Sequence, residues 1–216
     1  MERGARFAPL AGVVAVVLWI VGTFLLENTD RPDEDVGSNF RDWVQANDTE
    51  LLVGAIVFGF GVLFFLWFLG SLRARLVEAE GGAGRVGTIA FASGVAASIS
   101  MLFTVLPHAQ AAFDIDSMSD TSAAALVHMG DAFFGGTQLF SIPLLAATGL
   151  VILRHVALSR WLAWASLVVA LVLAIVPIGF FGVFIGLPLW VLATSVLLYR
   201  RQVGEPDAAP PPAARA

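Results

Sequence analysis

The main pattern in this chain is a series of long apolar runs separated by short polar segments. Six runs of 16 to 22 residues approach the ~20 residues that an α-helix needs to cross ~30 Å of hydrocarbon. They predict six transmembrane helices, at residues 7–26, 51–72, 86–107, 132–153, 161–176 and 181–199. Taken in pairs, these helices form three hairpins. We therefore expect an all-α, polytopic membrane domain over residues 1–201.

The charged residues indicate how this domain is oriented. The chain is 58% hydrophobic and 13% charged, about half the charged fraction of a soluble domain. Ten of its twelve basic residues, all of them arginine, lie in the N-terminal segment, the C-terminal segment and the two loops that would share their side of the membrane. Arginine in short loops marks the cytoplasmic side. Both termini are therefore predicted to be cytoplasmic, and the longer, acidic loops to lie outside.

The first outer loop, residues 27–50, begins as an acidic coil with turn-forming residues. A short helix is predicted to follow Ser38 and Asn39, with three apolar residues on one face at helical spacing: Phe40, Trp43 and Val44. One interpretation is an interfacial helix with its aromatic side chains at headgroup depth. The other is a lid or a surface that binds a protein partner. At the opposite end of the chain, the Pro- and Ala-rich residues 202–216 predict a disordered cytoplasmic tail.

Small residues recur at four-residue spacing in two of the predicted helices. Ala90, Gly94 and Ser98 form such a stripe in the third helix, and Gly182 and Gly186 in the sixth. Small side chains let membrane helices approach closely, since lipid supplies no hydrophobic drive between them. We therefore expect tight packing at both places, with the third helix at the centre of the bundle.

Four prolines bear on the shape of the helices. Pro107 and Pro177 are predicted to end the third and fifth helices, whereas Pro143 and Pro188 fall inside the fourth and sixth and should kink them. The fifth helix is short, and the turn after it carries no charge. The third hairpin is therefore expected to stop below the outer surface and leave a depression there.

Polar residues near the outer ends form the one constellation that suggests chemistry. Glu50, His108 and Asp131 each lie 23 residues from an arginine at the other end of the same helix, or ~34 Å along a straight helix. They are therefore expected to share one level. His128 and Gln138 fall on the same helical face as Asp131.

Two interpretations of this polar level remain open. Bilayer thickness alone forces polar residues to appear at a common depth. Alternatively, His108, His128 and Asp131 provide a ligand set for zinc or a similar divalent ion, or an Asp–His pair for a proton-linked site. The two histidines belong to no known metal motif, and the chain has no cysteine. No cofactor is expected, with a divalent metal as the alternative.

Several classes of function are disfavoured. No charge lies in the middle of a predicted helix, as a pump, voltage sensor or proton relay usually requires. Phosphate-loop, dinucleotide and nucleophile-elbow motifs are missing, and the arginines are too few and too divided for nucleic-acid binding. The sequence favours a non-enzymatic binding or accessory protein with an acidic outer face. A protein partner is the expected ligand of that face. The oligomeric state stays open.

Two alternatives remain. A small-solute transporter would need a continuous polar path lined by Gln138, Ser93, Ser98 or Ser100. A metal-dependent membrane hydrolase would need the two histidines and the aspartate of the candidate metal set to converge.

Three stretches of the sequence carry a family resemblance. They are Phe7 to Gly12, the run from Phe64 to Arg85 with Trp67, Arg73 and Gly81-Gly82, and the run from Arg160 to Phe181 with Trp164 and Pro177. Over residues 7–201 the chain resembles a family of small actinobacterial integral membrane proteins of the domain-of-unknown-function type. The resemblance implies a six-helix fold in a bacterial inner membrane. It implies no activity and no functional residues.

Overall fold

The structure is a computed structural model that describes residues 8–27, 29, 31, 39–155 and 157–204. These residues are almost entirely helical. After a 3₁₀ start at residues 8–10, the elements follow in this order: α1 (Ala11–Glu27), α2 (Phe40–Ala46), α3 (Asp48–Glu80), α4 (Arg85–Phe113), the 3₁₀ turn (Ile115–Ser117), α5 (Asp120–His155), α6 (Arg160–Ala174), α7 (Val176–Phe181), the π segment (Gly182–Gly186) and α8 (Leu187–Gly204).

The structure confirms an all-α membrane protein. Five helical stretches are long and apolar enough to cross a membrane: Ala8–Glu27, Asp48–Glu80, Arg85–Phe113, Asp120–His155 and Ile178–Gln202. The remaining apolar helix, α6, has 15 residues, which corresponds to ~22 Å and falls short of the ~30 Å hydrocarbon layer. Five spans are thus supported by length and composition, and the sixth stays a prediction.

Most of the helices extend beyond the predicted bounds. α3 continues past residue 72 to Glu80, and α5 begins at Asp120, well before residue 132. The apolar run marks only the part of a helix that suits hydrocarbon, whereas the helix itself continues into polar sequence. α8 likewise reaches Gly204, so the predicted tail begins later than residue 202, and its remainder lies outside the described residues.

The prolines differ from the expectation at two of four positions, Pro107 and Pro177. Pro107 does not end a helix, because α4 continues through it to Phe113. Pro177 belongs to the first turn of α7 and does not terminate α6. Pro143 lies inside α5 as predicted. Pro188 is the second residue of α8, just after the π segment. In a regular α-helix its ring would clash with the Phe184 carbonyl, to which it also cannot donate. The wider turns of the π segment accommodate the ring.

The helices pack as a ring in which neighbours in sequence are mostly neighbours in space. α1, α3, α4, α5 and α6 pack one against the next, and α8 closes the ring by contacting both α1 and α6. α4 is therefore a member of the ring between α3 and α5, and the prediction that it forms the centre is wrong. We call the end that carries α2 and the 3₁₀ turn the loop end, and the opposite end the arginine end.

Short polar contacts close the arginine end. The Glu80 carboxylate accepts hydrogen bonds from the backbone N–H groups of Val86 and Gly87, at 3.0 and 2.9 Å, and so caps the first turn of α4. Arg201 donates to the Ala157 carbonyl at 3.0 Å and joins α8 to the segment before α6. These contacts keep the chain turns compact where the arginines concentrate.

Both predicted stripes of small residues are packing surfaces. A Cβ atom at Gly94 would lie 2.7 Å from Leu69 Cδ2, so α3 and α4 approach closely there. Gly182 and Gly186 lie in the π segment and not in a regular helix, but they still face α6, where added Cβ atoms would meet Leu173 and Val169. Tight packing is confirmed at both places.

The predicted short helix is confirmed as α2, but its environment differs from the interfacial interpretation. Phe40, Trp43 and Val44 are buried against protein, in a second apolar cluster with side chains such as Ile115 and Val127. The reason is that α4 and α5 extend further than predicted and offer a surface that α2 covers. Ser38, most of the acidic coil before it and any lid or partner surface formed there lie outside the described residues.

Candidate functional site

A polar cluster lies at the loop end and contains two of the predicted site residues, His128 and Asp131. Arg31 donates two hydrogen bonds to Asp131, from Nη1 to Oδ1 at 3.2 Å and from Nη2 to Oδ2 at 2.5 Å. His128 Nδ1 lies 3.9 Å from the same Oδ2, and its ring meets the edge of Phe40 at 5.3 Å between centroids. The structure thus brings His128 and Asp131 together, as predicted from their spacing.

His108 is held by the backbone of two helices. Its Nδ1 lies 3.0 Å from the Thr104 carbonyl oxygen, and in that contact the ring nitrogen is the donor. A Cβ atom at Gly130 would lie 2.7 Å from His108 Cε1, so the imidazole packs directly on α5 because that position has no side chain. His108 is therefore partly buried between α4 and α5.

The described residues do not assemble the predicted metal site. Among them, no group of three or more His, Asp or Glu side chains is placed to hold a metal ion. Arg31 takes both carboxylate oxygens of Asp131, and His108 contacts Thr104 and Gly130. Glu50 is exposed in the first turn of α3. The geometry therefore offers a metal-dependent reaction no support.

Gln138 was predicted to share the helical face of Asp131, but its side chain bonds to α6. Its Nε2 donates to the Leu173 carbonyl near the end of α6, at 2.7 Å. Ser98 is buried and bonds to the Gly94 carbonyl within α4, and Ser100 is buried against Gly136. The Gln138 contact joins α5 to α6, whereas the Ser98 contact lies within α4.

An apolar cavity of about 450 Å³ lies below the polar cluster. Its walls come from α1, α3, α4, α5 and the π segment with the start of α8. The lining residues are Trp19, Ile20, Thr23, Phe24, Leu26, Glu27, Phe58, Met101, Thr104, Val105, Phe134, Thr137, Val183, Phe184, Leu187 and Pro188. Its volume falls within the ~300–1,000 Å³ of small-molecule sites.

Two polar groups in the cavity wall lack partners among the described residues. Trp19 is 5% exposed and Thr137 is 2% exposed, yet Trp19 Nε1 and Thr137 Oγ1 have no hydrogen-bond partner there. A buried unpaired donor or acceptor costs about 1–3 kcal/mol. By contrast, the hydroxyl of Thr104 bonds to the Ser100 carbonyl at 3.0 Å. The wall is thus mainly apolar, and these two unpaired atoms are covered by neighbouring protein atoms.

The surroundings of the cavity indicate which solvent it meets. Ile20 and Phe24 on α1 are 61% and 66% exposed, and Phe184 across the cavity is also exposed. Large exposed apolar side chains on a membrane helix face lipid. The cavity is therefore bordered, on α1 and on the π segment, by apolar side chains that suit a hydrocarbon surround.

Sequence reasoning missed most of this cavity. The signals that pointed towards it were the shortness of α6 and the uncharged turn after it, which predicted a depression beside the third hairpin. Val183 and Phe184 of that segment do line the cavity. Trp19, Thr23 and Thr137 carried no signal, because a single tryptophan or threonine in an apolar helix is ordinary in sequence.

Comparisons with protein-family models, with curated proteins and with solved structures gave no match for this chain. Its function is therefore argued from the geometry of the site.

Proposed function

We propose that this chain is a bacterial inner-membrane protein with six spans and cytoplasmic termini, and that it binds a lipophilic small molecule in the cavity beside α1. The observation that carries the binding role is the cavity itself, about 450 Å³ of apolar space walled by α1, α3, α4, α5 and the π segment. The sequence favoured a binding or accessory role at the acidic outer face, whereas this proposal puts the binding role at the apolar cavity.

The position of the cavity supports a ligand that partitions into the bilayer. Its entrance lies among exposed apolar side chains, and its wall is built mainly from apolar and aromatic residues. A polar solute would lose its hydration there without gaining partners. A hydrophobic molecule is instead the better match, because it has no hydration to lose and packs against an apolar wall.

Binding can be tested with the neutral lipophilic dye Nile red and native mass spectrometry of the purified full chain. We expect one dye per protein. Thr23→Trp places a large side chain in the cavity and should abolish the adduct, whereas Val17→Trp, on the exposed face of the same helix, should preserve it. Equal dye binding by both variants would overturn the proposal.

The proposed topology rests on the arginine distribution and has its own test. Because the chain has no cysteine, single cysteines report their positions without a background. Ser117→Cys at the loop end should react with a membrane-impermeant maleimide added to intact cells. Ala83→Cys at the arginine end should react only after the membrane is opened. The reverse labelling pattern would contradict cytoplasmic termini.

A further inference from the structure

The α1 wall of the cavity runs from an apolar depth to an acidic mouth. Trp19, Thr23 and Glu27 follow one another at four-residue spacing and all line the cavity. At 1.5 Å per residue, Glu27 lies ~12 Å from Trp19 along the helix. Glu27 is also the last residue of α1 and the one charged residue among those lining the cavity. The site is therefore amphipathic along its length.

Aromatic rings form much of the deeper wall. Trp19 stacks with Phe58 of α3 at 6.3 Å between centroids, and Phe134 of α5 stacks with Phe184 of the π segment at 5.2 Å. Ring faces hold apolar groups and also attract a cation within about 6 Å. An anion receives no such attraction from a ring face.

The charged residues at the loop end also favour a cationic ligand over an anionic one. The described residues at the loop end carry eight carboxylates against Arg31 and Arg41: Glu27, Asp42, Asp48, Glu50, Asp114, Asp116, Asp120 and Asp131. Arg31 lies four residues after Glu27, and its guanidinium is paired with Asp131. A surface with this excess of carboxylates concentrates cations and repels anions.

We propose that the ligand is an amphipathic cation, with its apolar body among the aromatic side chains and its positive charge beside Glu27. This inference rests on the proposed function, since it requires the cavity to bind small molecules. The polar cluster of Arg31, His128 and Asp131 does not line the cavity.

The test uses two ions of similar size and shape but opposite charge, tetraphenylphosphonium and tetraphenylborate. Equilibrium dialysis of the full chain in non-ionic detergent should show tetraphenylphosphonium binding at one site and tetraphenylborate binding far more weakly. Glu27→Gln should weaken tetraphenylphosphonium binding about tenfold. Asp116→Asn removes one carboxylate from the same end of the bundle, outside the cavity, and should leave the affinity nearly unchanged.

The outcomes separate this inference from the proposed function. Equal binding of the two ions, or no effect of Glu27→Gln, with the Nile red adduct retained, would overturn the cation preference and leave the cavity as a binding site. Loss of Nile red and both ions together would overturn the proposed function as well. If Glu27→Gln weakened the binding of both ions and also lost the Nile red adduct, the effect of the substitution would not depend on ligand charge. That result would contradict the expected selective loss of tetraphenylphosphonium binding.

Discussion

Gln138 of α5 donates from Nε2 to the backbone oxygen of Leu173 on α6, at 2.7 Å. In a continuous helix that oxygen would accept from the N–H four residues later, but that residue is Pro177, which has no N–H. Because the bilayer offers no water as a replacement, an unpaired carbonyl there is costly. A side chain from the neighbouring helix thus satisfies a backbone group that the proline leaves unpaired.

Replacing Gln138 should therefore destabilise the bundle. Gln138→Met keeps the length of the side chain but removes the donor, so we expect a loss of about 1–3 kcal/mol in the free energy of unfolding. Thermal unfolding in detergent would measure it. Gln110→Met is the matched control, since Gln110 is exposed near the end of α4 and its side chain bonds to Asp114 on its own turn. Equal loss in the two variants would contradict the role of Gln138.

A second buried contact couples α6 to α8. Trp190 Nε1 donates to Ser166 Oγ at 2.7 Å, and Ser166 Oγ donates to the Leu162 carbonyl at 2.7 Å. Ser166→Ala leaves the indole N–H buried without a partner and should cost about 1–3 kcal/mol. The same change should cost much less in a Trp190→Phe background, where no N–H remains. Unfolding of the four proteins of this cycle gives the coupling, and additive effects would show that the contact contributes nothing.

A close approach of α1 to α3 at Gly22 predicts a graded series of glycine substitutions. A Cβ at Gly22 would lie 2.8 Å from the Phe58 backbone nitrogen and 2.9 Å from the Gly54 oxygen, neither of which can rotate away. Gly22→Ala should therefore force α1 and α3 apart and cost about 1–3 kcal/mol. At Gly94 the nearest atom is the tip of the Leu69 side chain, which can move, so Gly94→Ala should cost less.

Gly70 provides the control for this series. A Cβ there meets no atom within 4 Å, so Gly70→Ala should be neutral or stabilise the helix by up to about 1 kcal/mol. Unfolding midpoints of the three variants in one detergent test the order. A Gly94→Ala variant that is less stable than Gly22→Ala would contradict it.

These contacts also show which parts of the structure the sequence could predict. Apolar runs and helical spacing report local environment, so they located the long helices and the buried face of α2. Partners distant in sequence carry no such periodic signal. Pro177 reveals that the Leu173 carbonyl needs a donor, but nothing in the sequence says that Gln138 supplies it. The cavity is harder still, because it depends on where Trp19, Thr137 and Phe184 meet.

The ion pair of Arg31 and Asp131 joins residues a hundred positions apart, and its energy follows from its exposure. The two side chains are 34% and 42% exposed, so water screens a pair whose geometry is nevertheless bidentate. We expect a coupling of about 0.2–1 kcal/mol between Arg31→Gln and Asp131→Asn in a double-mutant cycle. At 1 M salt, where the Debye length is about 3 Å, the coupling should fall towards zero. A coupling above about 2 kcal/mol that salt does not reduce is the behaviour of a buried pair and would contradict the exposed geometry.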